Sequence, residues 1–265
     1  MKSLLYSLIV FLLLGLSACS NAEERTETLL NIFLTDAPGP FEQVFVEIEG
    51  VNLFFEGESM PIFVPYDGPT RLVNVSLLVG GRLGLLGRDE VPAGQLERVE
   101  LLFGGQQEVR FGDERVLPLT FTNENLRQLS INVNARLLPA FAYDLVIDLD
   151  IFRSIFENAS GQLFFRPVAR GFVTAETGRL RGAVRPGGME VQVWAVNETD
   201  TIATGVTLEE NAATGDFTLF GLNGTYDLYF FPRNPMFAVD TLFNLTVLPG
   251  GELNLDPITL QQRTP

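Results

Sequence analysis

The chain has 265 residues, with 18 basic against 33 acidic side chains, a net charge of −15, no histidine and one cysteine. That balance argues against nucleic acid as a partner, because duplex binding rests on cations neutralising phosphates. Without histidine, and with Lys2 and Cys19 the only residues of their types, Ser-His-Asp and Cys-His catalysis, catalytic Schiff bases, His/Cys zinc sites and internal disulfides are excluded; carboxylate chemistry, tyrosine and oxygen-held hard cations remain.

Residues 1–18 read as a signal peptide. Lys2 supplies the positive start, Leu4 to Leu14 the apolar run, and Gly15, Ser17 and Ala18 the small residues before a cleavage point. The run is shorter than the roughly 20 residues a spanning helix needs. Cleavage before Cys19 leaves 247 residues carrying 17 arginines against 33 acids, a net charge of −16. Residues 19–28 are polar and aperiodic, a tether.

From Leu29 the pattern is that of strands. "LLNIFLT" is a short apolar run closed by the turn cluster "DAPGP". In Gln43 to Phe55, strict alternation puts Val44, Val46 and Ile48 on one face. Further strands are predicted at 62–65, 71–78, 95–103, 108–111, 116–121, 129–138, 142–150 and 163–174. "RLGLLGR" (82–88) is predicted as a short turn. "DIFRSIFENAS" (150–160) is the best helical candidate, with an acidic start and Ile151, Ile155 and Phe156 at helical spacing. A boundary falls near "TAETG" (174–178). Beyond it, short strands continue to Leu260, about seven of them, including "NGTYDLYFFP", which opens on the Asn-Gly signal of a tight turn. Strands at such spacing predict an all-β chain of two β-sandwich domains in tandem, residues 29–175 and 176–262, with at most one or two short helices.

Three stretches carry resemblances. Leu16-Ser17-Ala18-Cys19 matches a bacterial lipobox at every position. The resemblance implies that the Cys19 thiol receives a diacylglycerol and that cleavage precedes it; two or three acyl chains then anchor firmly where one would be marginal. Ser20, in place of the aspartate associated with inner-membrane retention, points to the outer membrane. Glu23 and Glu24 are similar to an acidic tag for surface export, so a periplasmic or a cell-surface orientation stays open. "FLTDAPGPFEQVFVEIEGVNL", "LLVGGRLGLLGRDEVPAGQLERVELLF", "VIDLDIFRSIF" and "GQLFFRPVARGF", in that order over about residues 29 to 173, resemble the family called domain of unknown function 4382. That implies a β-rich extracytoplasmic domain with no established activity. The family's Tyr near Leu96 and Lys near Phe165 are replaced here. "GRLRGAV" and "TGDFTLFGLNGTYDLYF" resemble a carboxypeptidase regulatory-like, or transthyretin-like, domain over residues 176 to 262, which implies a spacer or folding module without a peptidase site.

The candidate sites are few. Asp144, Asp148 and Asp150 share one strand face by their even spacing, and oxygen ligands suit Ca²⁺. The competing reading is structural: Asp148 and Asp150 cap the following helix or pair with Arg153, Arg166 or Arg170. Asp36 and Asp216 lie elsewhere in the chain. Phe54-Phe55, Phe164-Phe165 and Phe230-Phe231 must each send one ring outward in a sandwich, and core packing or inter-domain contact accounts for them better than a sugar-stacking or adhesive patch, since sugar platforms prefer Trp and Tyr with their polar handles. Trp194, the single tryptophan, is the residue to test as an exposed platform. The expectation is a non-enzymatic lipoprotein of the outer membrane with a binding or structural role toward an envelope protein or glycan, with no cofactor unless the aspartates hold Ca²⁺. The alternatives are a carboxylate-based extracellular glycoside hydrolase and a cation-dependent adhesion domain.

Overall fold

The computed structural model describes residues 26–37, 39, 41–209 and 211–263. The signal peptide and Cys19 therefore lie outside the described residues. The first half contains β1 (Glu27–Ala37), β2 (Gln43–Phe55), β3 (Ile62–Pro65), β4 (Leu72–Asn74), β5 (Gly84–Pro92), β6 (Gly94–Arg110), β7 (Val116–Phe121), β8 (Gln128–Leu137), β9 (Ala142–Asp150), α1 (Ile151–Ser154), β10 (Ile155–Glu157), β11 (Leu163–Phe165) and β12 (Ala169–Val173). The second contains β13 (Gly178–Arg185), β14 (Val191–Val196), β15 (Thr201–Gly205), β16 (Gly215–Leu222), β17 (Gly224–Pro232), β18 (Asp240–Val247), β19 (Glu252–Asn254) and β20 (Ile258–Thr259). A 3-10 turn at Thr174–Glu176 joins the halves at the expected boundary.

The chain is all-β, as the strand spacing implied. In the first half a four-stranded sheet, β12-β9-β1-β5, faces an eight-stranded one built on β10-β11-β7-β6-β2-β3, with β4 on β2 and β8 on β6. In the second, β16-β13-β19 with β20 faces β15-β14-β17-β18. Each pair encloses its own apolar core. The alternation in β2 is literal: Val44, Val46 and Ile48 are all fully buried. Leu96 and Phe165 are fully buried too, and Phe165 packs edge-on to Phe103 with ring centroids 5.5 Å apart. Each Phe pair divides as the pleat requires. Phe55, Phe165 and Phe230 enter cores, while Phe54 lies under the Arg98 guanidinium and Phe164 stacks on Phe156.

Several elements differ from the sequence pattern, each for a tertiary reason. Residues 84–92 form β5 rather than a turn, because this glycine-rich stretch lies along β1 as an antiparallel partner. The candidate helix stops after Ser154; residues 155–157 instead pair with β11. The predicted strand 163–174 breaks into β11 and β12 around Pro167, which has no N–H to give a ladder. The predicted strands 95–103 and 108–111 are one strand, β6. The tether is shorter than its polarity suggests: Glu27 and Thr28 already belong to β1, and the buried Thr28 hydroxyl donates to the Phe141 carbonyl at 2.7 Å. Among the described residues, no helix is long and apolar enough to cross a membrane.

Candidate functional site

The parallel pairing of β1 with β9 decides where the acids go. Leu145, Ile147 and Leu149 point into the core, so Asp144, Val146, Asp148 and Asp150 occupy the outer face of that sheet. An isolated sandwich would leave this face wet. Here Val146 is fully buried and Asp148 is 8% exposed, because the second half packs nearby.

The three aspartates do share a face, but each is committed to a different protein group. Asp144 accepts from Asn31 Nδ2 at 2.7 Å. Asp150 caps α1, accepting from the Arg153 N–H at 2.9 Å. Asp148 accepts from Arg170, directly opposite on β12, at 2.8 and 2.9 Å. About 13 Å of strand separates Asp144 from Asp148. Among the described residues, no group of three or more acidic side chains is placed to hold a metal ion. Asp216 is far along the chain and sits on β16, where its N–H donates to Thr207 Oγ1.

Arg170 does more than neutralise Asp148. Its Nη2 donates to the Phe220 carbonyl at 2.7 Å and its Nη1 to the Gly221 carbonyl at 3.2 Å, both on β16 of the second half. Gly221 is the extra residue of a β-bulge, with φ +69°. A Cβ there would stand 2.6 Å from Arg170 Nη1 and 2.7 Å from the Phe172 ring, so only glycine admits the guanidinium.

A second contact is made by the loop after Leu78. Gly80 N–H donates to Thr204 Oγ1 at 3.2 Å, and a Cβ on Gly81 would overlap Thr218 at 2.5 Å. Thr35, buried at the end of β1, holds this loop by donating its hydroxyl toward the Leu78 and Arg82 carbonyls at 3.0 and 3.1 Å. Thr35→Val keeps the shape and removes the donor. It should cost about 1–2 kcal/mol, read as a lower urea midpoint at an unchanged m-value; an unchanged midpoint would show that the tether is idle.

Between these contacts lies a cleft of about 560 Å³, within the roughly 300–1,000 Å³ typical of small-molecule sites. Asp36, Phe41, Glu42, Leu77 and Arg82 line one side; Glu190, Gln192, Val206, Phe231 and Arg233 line the other. Asp36 is 2% exposed. Its Oδ1 accepts from the Ile151 N–H at 3.2 Å, whereas Oδ2 is buried without a hydrogen-bond partner. Burial pushes its pKa well above the ordinary carboxylate value, and the charges of Asp148 and Asp150 push it the same way against the opposing Ile151 N–H. A smaller hollow of about 90 Å³ shares Gln192 with the cleft and is lined by Phe152, Arg153 and Trp194. Trp194, Phe231 and Tyr229 form an aromatic row on β14 and β17, with successive centroids 5.1 and 6.2 Å apart, and Phe152 of α1 meets Trp194 edge-on at 6.2 Å. The sequence singled out Trp194 and offered Arg170 as a partner of Asp148, but it did not mark Asp36 or Gln192 as site residues. Nothing in their local spacing marks them; only sheet pairing and the docking of the halves bring them together.

The family profile described as Domain of unknown function (DUF4382) matches residues 27–167. The chain belongs to this family. The DUF4382 region ends before β12, so Arg170 lies just beyond the matched residues. No curated protein matches the chain. Among solved structures, the chain is similar to the Bacillus anthracis TIE protein at 9% identity and a TM-score of 0.24, covering 89% of this chain and 35% of that one. It thus spans about a third of the TIE protein's length. It is similar to a candidate adhesin from Bacteroides ovatus at 12% identity and a TM-score of 0.21, covering 92% and 95%. It is also similar to the major pilin of Streptococcus pyogenes at 7% identity and a TM-score of 0.17, covering 89% and 97%.

Proposed function

We propose that this DUF4382 protein is a lipoprotein of the outer membrane, anchored through Cys19, with a non-catalytic binding role in the cell envelope. The observation that carries the binding role is the cleft of about 560 Å³ between the two halves, lined by polar, charged and aromatic side chains of both. The non-catalytic reading rests on the acids of the cleft other than the buried Asp36. Glu190 pairs with Arg233 at 2.5 Å, and Glu42 accepts from the Gly112 N–H at 2.5 Å. Two-carboxylate hydrolysis needs two groups free to act, and these two are committed elsewhere. The second half serves as a carboxypeptidase regulatory-like module that supplies the far wall of the cleft.

The anchor rests on the Leu16-Ser17-Ala18-Cys19 motif. Cys19→Ala should move the protein from the membrane pellet to the soluble fraction and abolish incorporation of labelled palmitate. Retention in the pellet with undiminished label would overturn the anchor.

A further inference from the structure

We infer that the cleft between the halves, with the hollow that adjoins it, is a saccharide-binding site, in which a neutral sugar chain stacks on Phe231 and Trp194 and hydrogen-bonds to Gln192. This deepens the proposed binding role and rests on it.

The charge of the cleft selects the ligand class. Apart from the buried Asp36, Glu42 and Arg82 lie on one wall, Glu190 and Arg233 on the other, and Asp150 lies with Arg153 at the adjoining hollow. With these signs balanced, neither a strong anion nor a strong cation is favoured. A neutral polar ligand meets no unpaired charge and is not repelled.

The polar lining fits hydroxyls. A sugar hydroxyl both donates and accepts. Gln192 offers an amide with the same double capacity, and it stands where the cleft meets the hollow beside Trp194.

The apolar surface fits sugar faces. Register places Trp194 opposite Tyr229 and Gln192 opposite Phe231, so aromatic rings and an amide alternate on one sheet surface. Trp and Tyr each pair an apolar body with a polar tip. A pyranose, with C–H bonds on its faces and hydroxyls on its rim, is matched by rings beneath it and planar hydrogen-bonding groups at its edge. A peptide added as an extra strand would instead need the free edge of β15. That edge is obstructed by the Gly80 loop, which bonds to Thr204.

Trp194 is the only tryptophan, so its fluorescence reports on the site without labelling. The purified protein is titrated at pH 7 with cellohexaose, xylohexaose, mannohexaose and chitohexaose, each to about 10 mM, and in parallel with hexa-alanine. The expected result is a saturable emission change with at least one saccharide. Gln192→Ala should weaken it about tenfold, the equivalent of one good hydrogen bond. Phe63→Ala, on β3 away from the cleft, is the control and should leave it unchanged. No change with any saccharide overturns the inference, as does a change that Gln192→Ala leaves intact. A change with hexa-alanine alone also overturns it, while leaving a binding role for the cleft standing.

Discussion

Replacing Arg170 with methionine is expected to lower the unfolding free energy by about 2–4 kcal/mol. The substitution keeps a long apolar stem and removes only the guanidinium. Asp148, 8% exposed, would then be a buried charge without a counter-ion, and the carbonyls of Phe220 and Gly221 would lose their donors. The loss should concentrate at the junction, since among the described residues two of the three hydrogen bonds that join the halves are made by this one side chain, reaching from β12 to β16. Calorimetry should therefore show the two halves separating into distinct transitions in the variant, as happens when units of a chain lose their coupling. Arg170→Lys should recover little, because an ammonium cannot fork to a carboxylate and two carbonyls in one plane. The double variant Asp148→Asn/Arg170→Met should be more stable than Arg170→Met alone, since it no longer buries an unpaired charge. A loss under about 0.5 kcal/mol with one coincident transition would show that Arg170 does not join the halves.

Asp36→Asn is expected to flatten the pH dependence of stability. Native Asp36 holds its proton more tightly than the unfolded chain does, because burial disfavours the carboxylate and because Asp148 and Asp150 add like charge nearby; the Ile151 and Ala37 N–H groups oppose this only in part. Between the ordinary carboxylate pKa, about 4, and the raised native value, the native state therefore binds more protons than the unfolded state. Stability must then fall as pH rises through that window, at a limiting slope of about 1.4 kcal/mol per pH unit for one proton. Asparagine cannot ionise, so the variant should match the native protein near pH 4 and exceed it increasingly above. Some slope should survive, since burial also raises Asp150. Urea denaturation at a series of pH values checks this through the difference between the two proteins. Parallel curves would show that Asp36 is not buried as described.

The fold was legible wherever local pattern and tertiary contact agree. Alternation in residues 43–55 is readable because one face of β2 meets the core and the other does not, and a period of two follows directly. The Phe pairs were legible for the same reason. Residues 84–92 and 155–157 were not. Their local preferences are weak or helical, and each is a strand only because a partner, β1 or β11, lies alongside it.

What the sequence by itself determined is chemical: no histidine, one lysine and one cysteine, both near the start, an acidic surface, strand spacing throughout, and the landmarks of the DUF4382 family. Those properties are counts and short-range order, which need no coordinates. What only the tertiary structure decided is which acids matter. Asp144, Asp148 and Asp150 look like one set along the chain but serve three partners, while Asp36, more than a hundred residues away, stands beside two of them. The reason is physical: spacing along a strand fixes which face a side chain takes, but its burial and its partners are set by what packs on that face, and here that is a second sandwich contributed by later residues.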